Sequence, residues 1–388
     1  MSDGSLAGGG DVRERLLAGI RGHRQEFEAA GDEAEKLRTL PPQTVQTLRD
    51  LGVFWLKTPE ELGGTPLSPL EFCDVIEEMA YTDVSTAWAA MIGAGCAGMA
   101  SGWLPEAGAR RVFAPDRPLP LIAGQPQPRG TGRPVDGGYV VSGRWGFASG
   151  IMHASWVIAG FRVPGEDGRV LVFIAPKDET EVIDNWHVAG LVGTGSMDFS
   201  MDEVFVPEEM TYERTAPAAR GGPLWRQDGI LFVSNEVPPL CVGLARRALD
   251  DMTELASGTA RFPGGATLAE RAVFHKELGR AETKVRAARL VHRDAIAATW
   301  EATLAGNASS QAQLAAVAAA SVFAVETCAE VVTDLFRYGG GRVLSLSHPM
   351  QRHMRNALAA RQHVAVSEEF YELVGRERIQ SAKDHRRE

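Results

Sequence analysis

Two long helical patterns in the second half of the chain place the strongest limit on its fold. From about Ile230 onward the sequence is rich in alanine, and apolar residues recur at helical spacing from Leu268 to Leu304 and from Gln311 to Phe336. A helix of that length carries an apolar face that another helix must cover. The pattern predicts a bundle of long helices, and because such faces often continue across subunits we expect an oligomer.

Short β-branched and aromatic runs, separated by turn residues, fill the middle of the chain from about Leu119 to about Val206. The runs are Gly137–Gly143, Ala154–Gly160, Arg169–Ala175 and Met201–Pro207. Helical patterns between these runs are absent, which disfavours the parallel sheet of a doubly wound fold. We therefore predict an antiparallel barrel or sandwich.

The first part of the chain, from Val12 to about Phe113, is again helical in pattern, with Val45, Leu48 and Leu51 spaced along one helix face. The predicted fold class is α+β and mainly α. We predict three domains: an N-terminal helical domain at residues 1–118 with a flexible tail at 1–10, a central β domain at 119–225, and a C-terminal four-helix bundle at 226–388.

A run of small residues from Ser85 to Gly98 contains Gly93, Gly95 and Gly98 in the spacing of a dinucleotide-binding fingerprint. That fingerprint needs a strand before the glycines and a helix that opens after them. Here the glycines lie inside a helical pattern. Close packing of this helix against its neighbours is the favoured interpretation.

Charge and composition exclude several classes of partner. Acidic residues outnumber basic residues by 50 to 40, and no Lys/Arg block is present, so we expect neither nucleic acid nor an anionic membrane as a partner. No apolar run reaches the roughly 20 residues of a membrane span. The Gly/Ser-rich N-terminus lacks the pattern of a signal peptide, so a cytoplasmic location is expected.

Metal sites are not indicated either. The four cysteines, Cys73, Cys96, Cys241 and Cys328, lie far apart, which argues against zinc and against disulfides. His348 and His353 are five residues apart and do not share a helix face.

The segment from Val141 to Trp156 joins a strand-turn-strand pattern to polar groups that a buried flavin ring could use. Two further motifs accompany it. The small-residue loop Gly190–Asp198 precedes Val204–Pro207, and Gly339–Arg342 forms a glycine-rich turn in the helical region. Together with the order of helical, β and helical regions, these motifs resemble the acyl-CoA dehydrogenase superfamily over nearly the whole chain.

This resemblance implies a flavin site. A hydroxyl residue at the position of Ser149 would bond the flavin N5, since a hydroxyl both donates and accepts hydrogen bonds. A turn serine that bonds its own backbone is the structural alternative. Arg261 would bind the cofactor phosphate, with Arg337 and Arg342 as comparable candidates. The residues expected at the cofactor are Trp145, Ser149, Gly150, Thr194, Ser196, Arg261, Gly339 and Gly340.

The pattern near His363 distinguishes branches of the superfamily. In the common dehydrogenases a glutamate about eight residues beyond an Arg-Asp pair removes the α-proton of the thioester. Here the pair is Arg355-Asn356, and no carboxylate precedes Glu368 in the matching stretch. A histidine at this place, with the motifs Ser142–His153 and Pro349–Arg352, resembles the flavin-dependent two-component monooxygenases.

That branch implies reduced FMN or FAD, supplied by a separate NAD(P)H:flavin reductase, and O2 as co-substrate. A C4a-hydroperoxyflavin would hydroxylate an aromatic, phenolic or polyketide-like small molecule. Ser149 and His363 are the expected catalytic residues, and a histidine titrates in the range needed to take a phenol proton or to stabilise the peroxide. His153 and Gln125 are expected to contact substrate, and a homotetramer or homodimer is expected.

Three alternatives stay open at the level of sequence. The same branch contains N-oxygenases of amino sugars. An acyl-CoA dehydrogenase with a displaced catalytic base is a second possibility, and a non-catalytic flavin-fold module is a third. A structural role for His363, packing or capping a bundle helix, also stays open.

Overall fold

The computed structural model describes residues 9–166, 168–227, 229–258 and 265–384. Its N-terminal part consists of α1 (Gly9–Gly22), α2 (Arg24–Leu37), α3 (Pro42–Leu51), α4 (Pro69–Thr82), α5 (Val84–Trp103) and α6 (Glu106–Val112). Most of the expected tail at residues 1–10 lies outside the described residues, and α1 begins at Gly9.

Local caps fix the corner between α4 and α5. Ser68 and Glu71 form a capping box at the start of α4. Asp83 ends α4, and its carboxylate accepts a hydrogen bond from the Thr86 N–H at 2.7 Å, which starts α5. Because one residue separates the two helices, their relative direction is tightly set.

Helix α5 is buried along almost its entire length, and its glycines explain why. A Cβ at Gly93 would lie 2.8 Å from the Phe54 ring, and a Cβ at Gly98 would lie 2.6 Å from the Lys57 carbonyl oxygen. Both distances are too short for real side chains. The close-packing interpretation of these glycines is confirmed.

The central part is one hydrogen-bonded sheet of seven strands in the order β5-β6-β2-β1-β3-β4-β7. The strands are β1 (Ile122–Val135), β2 (Gly138–Ala148), β3 (Trp156–Arg162), β4 (Val170–Pro176), β5 (Glu181–Ile183), β6 (Met197–Pro207) and β7 (Thr211–Glu213). All pairs are antiparallel except β1 with β3, which run parallel. The expectation of a purely antiparallel sheet is therefore wrong at that pair. The chain runs back along one side of β1 as β2 and then returns to the other side as β3, so β3 has the same direction as β1.

The C-terminal part comprises α7 (Gly229–Ser234), α8 (Val237–Ala256), α9 (Ala272–Leu304), α10 (Gln311–Gly339), α11 (Pro349–Ala360) and α12 (Tyr371–Asp384). Helices α8, α9 and α10 pack against one another, and α11 packs on α8 and α10. The mainly helical α+β fold class with a helical bundle is confirmed.

One segment meets the length and composition of a membrane span, contrary to the sequence expectation. The stretch Gln311–Leu344, which contains α10, has an apolar window that is 72% buried inside the protein. Most apolar side chains of α10 are buried, and the helix packs against α8 and α9. In this fold α10 is the core helix of the bundle.

A buried ion pair joins the N-terminal helices to the bundle. The Lys57 Nζ donates to the Glu236 carboxylate at 2.7 Å and to the Phe232 carbonyl oxygen at 2.6 Å. Both charged side chains are almost fully buried, with exposed fractions of 1% and 7%. Burial raises the pKa of the Glu236 carboxyl, and the Lys57 ammonium opposes that rise.

Candidate active site

Ser149 lies in the turn that follows β2. The Gly150 N–H donates to the Thr194 carbonyl oxygen at 2.9 Å, which joins this turn to the loop before β6. Gly150 has a φ of +77°, and a Cβ there would meet no neighbour within 4 Å. The glycine is therefore needed for the backbone conformation of the turn and not for space.

The loop at residues 190–196 is held from the bundle side. The Asn356 Oδ1 accepts the Leu191 N–H at 2.7 Å, and the Arg355 guanidinium donates to the Ala189 carbonyl oxygen at 2.6 Å. A Cβ at Gly190 would lie 2.1 Å from the Arg355 carbonyl oxygen. Asn356 accepts through its side-chain oxygen, as an aspartate in its place would, so it retains a role in joining α11 to this loop.

A chain of hydroxyl groups runs through the buried interior of this loop. The Thr194 Oγ1 donates to the Leu191 carbonyl oxygen at 2.8 Å and lies 2.7 Å from the Ser196 Oγ. The Ser196 Oγ lies 2.7 Å from the Ser149 Oγ. The Trp88 Nε1–H donates to the Ser149 Oγ at 3.0 Å. The turn after β2, the loop before β6 and helix α5 thus meet at Ser149.

His363 reaches the same place from the bundle. It caps the short turn Val364–Val366 that follows α11, and its Nδ1 accepts the Ala365 N–H at 3.3 Å. Its ring packs edge-on against Trp88, with 5.6 Å between the ring centroids. Burial lowers the pKa of His363. An imidazole whose Nδ1 accepts carries its proton on Nε2 when neutral, so His363 presents an N–H donor.

Phe147 is the most unusual residue in this region. It is 65% exposed and has a φ of +61°, a conformation that bulky residues rarely adopt. The register of β2 with β6 shifts between Trp145 and Ala148, which marks a bulge of one extra residue in β2. The bulge turns the Phe147 ring outward beside Ser149, where it also meets the edge of Trp186 at 6.1 Å between centroids.

His153 lies one short turn beyond Ser149, where its Nε2 is 2.9 Å from the Thr39 Oγ1. Burial, aided by the positive charge of Lys177, lowers the pKa of His153 to about 4. The ring is therefore neutral near pH 7. Gln125 lies on β1, and its Nε2 donates to the Gly146 carbonyl oxygen at 3.2 Å, next to Phe147.

The structure contradicts the expected contact between the Trp145 side chain and the cofactor. The Trp145 ring has no exposed surface, stacks at 5.3 Å on Phe199, and donates through Nε1 to the Gly160 carbonyl oxygen at 2.8 Å. A ligand cannot reach a side chain enclosed in this way. A regular strand would place Trp145 and Phe147 on one face, and the bulge separates them, so that Trp145 is buried and Phe147 is exposed.

Two other residues predicted at the cofactor, Gly339 and Gly340, lie at the C-terminal end of α10. Gly339 ends α10, and a Cβ there would lie 2.3 Å from the Val343 side chain, while Gly340 has a φ of +61°. Packing and turn geometry thus account for both glycines, and their cofactor role stays a prediction. Arg261 falls outside the described residues.

Sequence reasoning missed Trp88 and Phe147. Trp88 stands out in its helix as a large side chain with an N–H donor among alanines and glycines, and this signal was available. Phe147 offered no comparable signal, since its exposure depends on a bulge and a positive φ.

The residues at Ser149 fit a flavin. A hydroxyl oxygen with a spare lone pair suits the polar edge of the ring, and an exposed aromatic side chain beside it offers a flat apolar contact. Among the described residues no carboxylate is hydrogen-bonded to the hydroxyl chain. This donor set and the seven-stranded sheet between two helical regions define an acyl-CoA dehydrogenase-like flavoprotein.

Comparison with known proteins agrees with this class. The N-terminal domain model of acyl-CoA dehydrogenases matches residues 21–103, and a C-terminal domain model matches residues 238–368. The oxygenase subunit HsaA, a flavin-dependent monooxygenase of Mycobacterium tuberculosis, is 30% identical over 375 residues, covering 91% of this chain and 92% of the relative. The chain belongs to the flavin-dependent monooxygenases of the acyl-CoA dehydrogenase fold.

Two further likenesses extend over nearly the full length. The indole-3-acetate monooxygenase of Pseudomonas putida is 27% identical over 373 residues, covering 96% of this chain and 94% of the relative. The crystal structure of the HsaA monooxygenase from M. tuberculosis superimposes with a TM-score of 0.88 at 27% identity, covering 95% of this chain and 97% of that chain. The predicted family and enzyme class are confirmed.

Proposed function

We propose that this chain is the oxygenase component of a two-component system that hydroxylates an aromatic or phenolic small molecule with O2. Its flavin, FMN or FAD, is used in the reduced form and is supplied by a separate NAD(P)H:flavin reductase. The observation that carries the proposal is the buried hydroxyl chain ending at Ser149, with the Trp88 and His363 rings beside it.

The names of relatives support this assignment. A relative from a Rhizobium strain is an FADH2-dependent resorcinol hydroxylase, oxygenase component, 29% identical over 390 residues and covering 91% of each chain. The words "oxygenase component" imply that another protein delivers the reduced flavin. Resorcinol and indole-3-acetate, the compounds in the names of two relatives, both contain an aromatic ring.

Residues of this chain would hold the flavin and exclude water from it. Ser149 would bond the polar edge of the ring, and Phe147 would contact its face. Reduced flavin supplies the two electrons that activate O2. The nearly complete burial of Ser149, Thr194 and Ser196 keeps water away from the hydroxyl groups, which favours oxygen transfer over release of hydrogen peroxide.

His363 acts in this proposal as a hydrogen-bond donor. Its Nδ1 lone pair is occupied by the Ala365 N–H, and its lowered pKa keeps the ring neutral. The Nε2–H would then donate to an oxygen atom of the substrate or of the bound oxygen. This role favours stabilisation of the oxygen over removal of a phenol proton, which was the other role expected for His363.

The carboxylates argue against acyl-CoA dehydrogenation. Glu368, the first carboxylate beyond His363, is 73% exposed and pairs with Arg361 at 3.0 Å. Glu236 is buried, but its carboxylate is bound to Lys57. Neither is available as the free base beside the flavin that proton abstraction from a thioester requires.

Aromatic side chains favour an aromatic substrate. Trp88, Phe147 and Trp186 border the site, and Met152, in the turn after Ser149, is 47% exposed. Flat rings stack on or meet the edges of such side chains, and a thioether adapts to their shape. His153, neutral and bonded to Thr39, and Gln125 stay our candidates for polar contacts to the substrate.

We also propose a cytoplasmic homotetramer or homodimer. Apolar side chains are exposed along the bundle and the turns after it, with Leu344 at 67%, Leu346 at 79%, Val364 at 71% and Ile379 at 60%. A second copy of the chain would cover such residues. Light scattering of the purified protein tests the oligomeric state.

The activity is tested by anaerobic mixing of the protein with dithionite-reduced FMN or FAD and resorcinol or indole-3-acetate, followed by exposure to O2. We expect hydroxylated product to exceed hydrogen peroxide for at least one aromatic compound. Quantitative conversion of reduced flavin to hydrogen peroxide across a panel of phenols and indoles would refute the proposal. Anaerobic bleaching of oxidised flavin by an acyl-CoA would favour a dehydrogenase instead.

A further inference from the structure

A cleft of about 530 Å³ lies between α3 and the segment that leads into β1. Its volume falls within the range of about 300–1,000 Å³ that small-molecule sites occupy. The residues that line it are Gln46, Arg49, Asp50, Trp55, Pro118 and Leu119. None of the residues gathered at Ser149 is among them, so the proposed oxygenase site does not account for this Arg49 cleft.

The polar side of the Arg49 cleft comes from one face of α3. Gln46, Arg49 and Asp50 stand three and four residues apart, a spacing that puts side chains on the same face of a helix. The Gln46 Nε2 donates to the Asp50 Oδ1 at 2.8 Å, and the Arg49 Nη1 donates to the Leu119 carbonyl oxygen at 3.2 Å. The second bond joins α3 to the segment before β1.

A further hydrogen bond holds that segment in place. The Trp55 Nε1–H donates to the Pro120 carbonyl oxygen at 2.8 Å, and the Trp55 side chain is buried. The Arg49 guanidinium carbon lies 5.9 Å from the centre of the Trp55 ring, within the range of a cation–π contact. The walls of the cleft are therefore set before a ligand arrives, which lowers the entropy cost of binding.

Arg49 carries a partly buried charge without an anionic partner. In the described part of the chain its guanidinium forms no ion pair, and the acceptor of its hydrogen bond is the Leu119 carbonyl oxygen. Burial lowers the pKa of Arg49. Burial also acts on Arg247, but the carboxylates of Asp251 and Glu28 outweigh it and raise the pKa of that arginine. A guanidinium has five N–H donors, so Arg49 keeps enough of them for the two parallel bonds that a carboxylate accepts.

The other side of the cleft is apolar, since it is formed by Trp55, Pro118 and Leu119. Such side chains favour a flat ring beside the anionic group. We propose that the Arg49 cleft binds a small aromatic carboxylate, with its carboxylate on the Arg49 guanidinium and its ring against Pro118 and Leu119. The second carboxylate oxygen of Asp50 would accept an O–H or N–H on the ring. The Asp50 charge opposes the ligand carboxylate, but Asp50 is exposed and solvent screens this repulsion.

The test measures binding of benzoate, 4-hydroxybenzoate and indole-3-acetate to the full chain without flavin, by isothermal titration calorimetry. Omission of flavin keeps the outcome independent of the proposed function. Benzamide has the ring without the charge, and inorganic phosphate has the charge without the ring. Hydrogen exchange locates the bound acid, and we expect protection in peptides covering residues 46–55 and 116–121.

Arg49→Gln should weaken benzoate binding at least about tenfold, because the charge is lost while glutamine can still donate to the Leu119 carbonyl oxygen. Arg117→Gln is the matched control, at an exposed arginine of the same segment that does not line the cleft, and should leave the affinity unchanged. If Arg49→Gln does not fold, Asp50→Asn at its exposed position should tighten benzoate binding about threefold by removing a negative charge.

The inference is overturned if none of the three acids binds, or if benzamide or phosphate binds as tightly as benzoate. Unchanged benzoate affinity in folded Arg49→Gln protein overturns it too, as does unchanged affinity in Asp50→Asn where Arg49→Gln is unfolded. Protection confined to residues 147–153 would place the acid at Ser149 instead and has the same consequence.

Discussion

The neutral state of His153 should make the folded protein lose stability as the solution becomes acidic. Burial and Lys177 lower the pKa of His153 to about 4 in the folded protein. In the unfolded chain the pKa of a histidine is about 6.5. Between these values the unfolded state binds more protons, so stability falls as pH decreases from about 6.5 to about 4.

The size of the effect follows from the two pKa values. Each unit of pKa difference corresponds to about 1.4 kcal/mol in the free energy of unfolding. His153 therefore lowers the free energy of unfolding by a total of about 3 kcal/mol once the pH is below 4. At pH 5, where nearly all unfolded chains but few folded molecules carry the proton, the loss is about 2 kcal/mol. The ring is largely enclosed beside Thr39, so solvent does not screen this effect strongly.

His153→Gln removes the titration and keeps a neutral side chain that can bond Thr39. We expect the midpoint of urea denaturation to fall less between pH 7 and pH 5 in this variant than in the wild type, by an amount equivalent to about 2 kcal/mol. His275→Gln, at an exposed histidine, is the matched control. Equal pH dependence of the wild type and His153→Gln would refute the reasoning.

Three further predictions concern the site and its supports. His363→Ala should lower hydroxylated product per reduced flavin about tenfold and raise hydrogen peroxide while flavin affinity is kept, because the neutral N–H donor is lost. Exposed Gln362→Ala is the control, and unchanged product yield would remove His363 from the mechanism. Phe147→Gly should relieve about 1 kcal/mol of backbone strain, measured by denaturation, and should weaken flavin binding, measured by fluorescence titration. Lower stability with unchanged flavin affinity would contradict this prediction. Lys57→Met should lower the free energy of unfolding by about 3–5 kcal/mol, because it leaves the Glu236 carboxylate buried without a partner. In a double-mutant cycle measured by urea denaturation, adding Glu236→Leu should restore most of that free energy. Additive losses from the two substitutions would speak against a coupled pair.

The helical regions could be predicted because their signal is local. Apolar spacing marked α9 and α10, and the structure places helices at Ala272–Leu304 and Gln311–Gly339. Strand β1 (Ile122–Val135) was missed because Pro126 and Pro128 break the expected alternation. The register of β1 with β3 shifts at these residues, so the irregularity is real and tolerated by the sheet.

The candidate site could be predicted only in part. Ser149, Thr194 and Ser196 were found through a resemblance, and the structure brings them into one hydrogen-bonded chain, although their cofactor role is still a proposal. The contribution of Phe147 depends on a single extra residue in β2, which reverses the face of every side chain until the register is restored. The expected cofactor contact of Trp145 came from the resemblance, and the structure instead buries Trp145 and exposes Phe147.

The site also depends on how three regions of the chain are held together. Helix α5 supplies Trp88, the sheet supplies Ser149, and the turn after α11 supplies His363. On α5, Gly95 lies two turns beyond Trp88, about 10 Å along the helix axis, and a Cβ there would meet the Glu236 carboxylate at 2.8 Å. The buried Lys57–Glu236 pair and the Trp88–Ser149 hydrogen bond therefore oppose sliding of α5 at two points on the same face. Since the strength of a hydrogen bond depends on its distance and angle, we expect loss of this distant ion pair to weaken the Trp88–Ser149 hydrogen bond, which measures 3.0 Å.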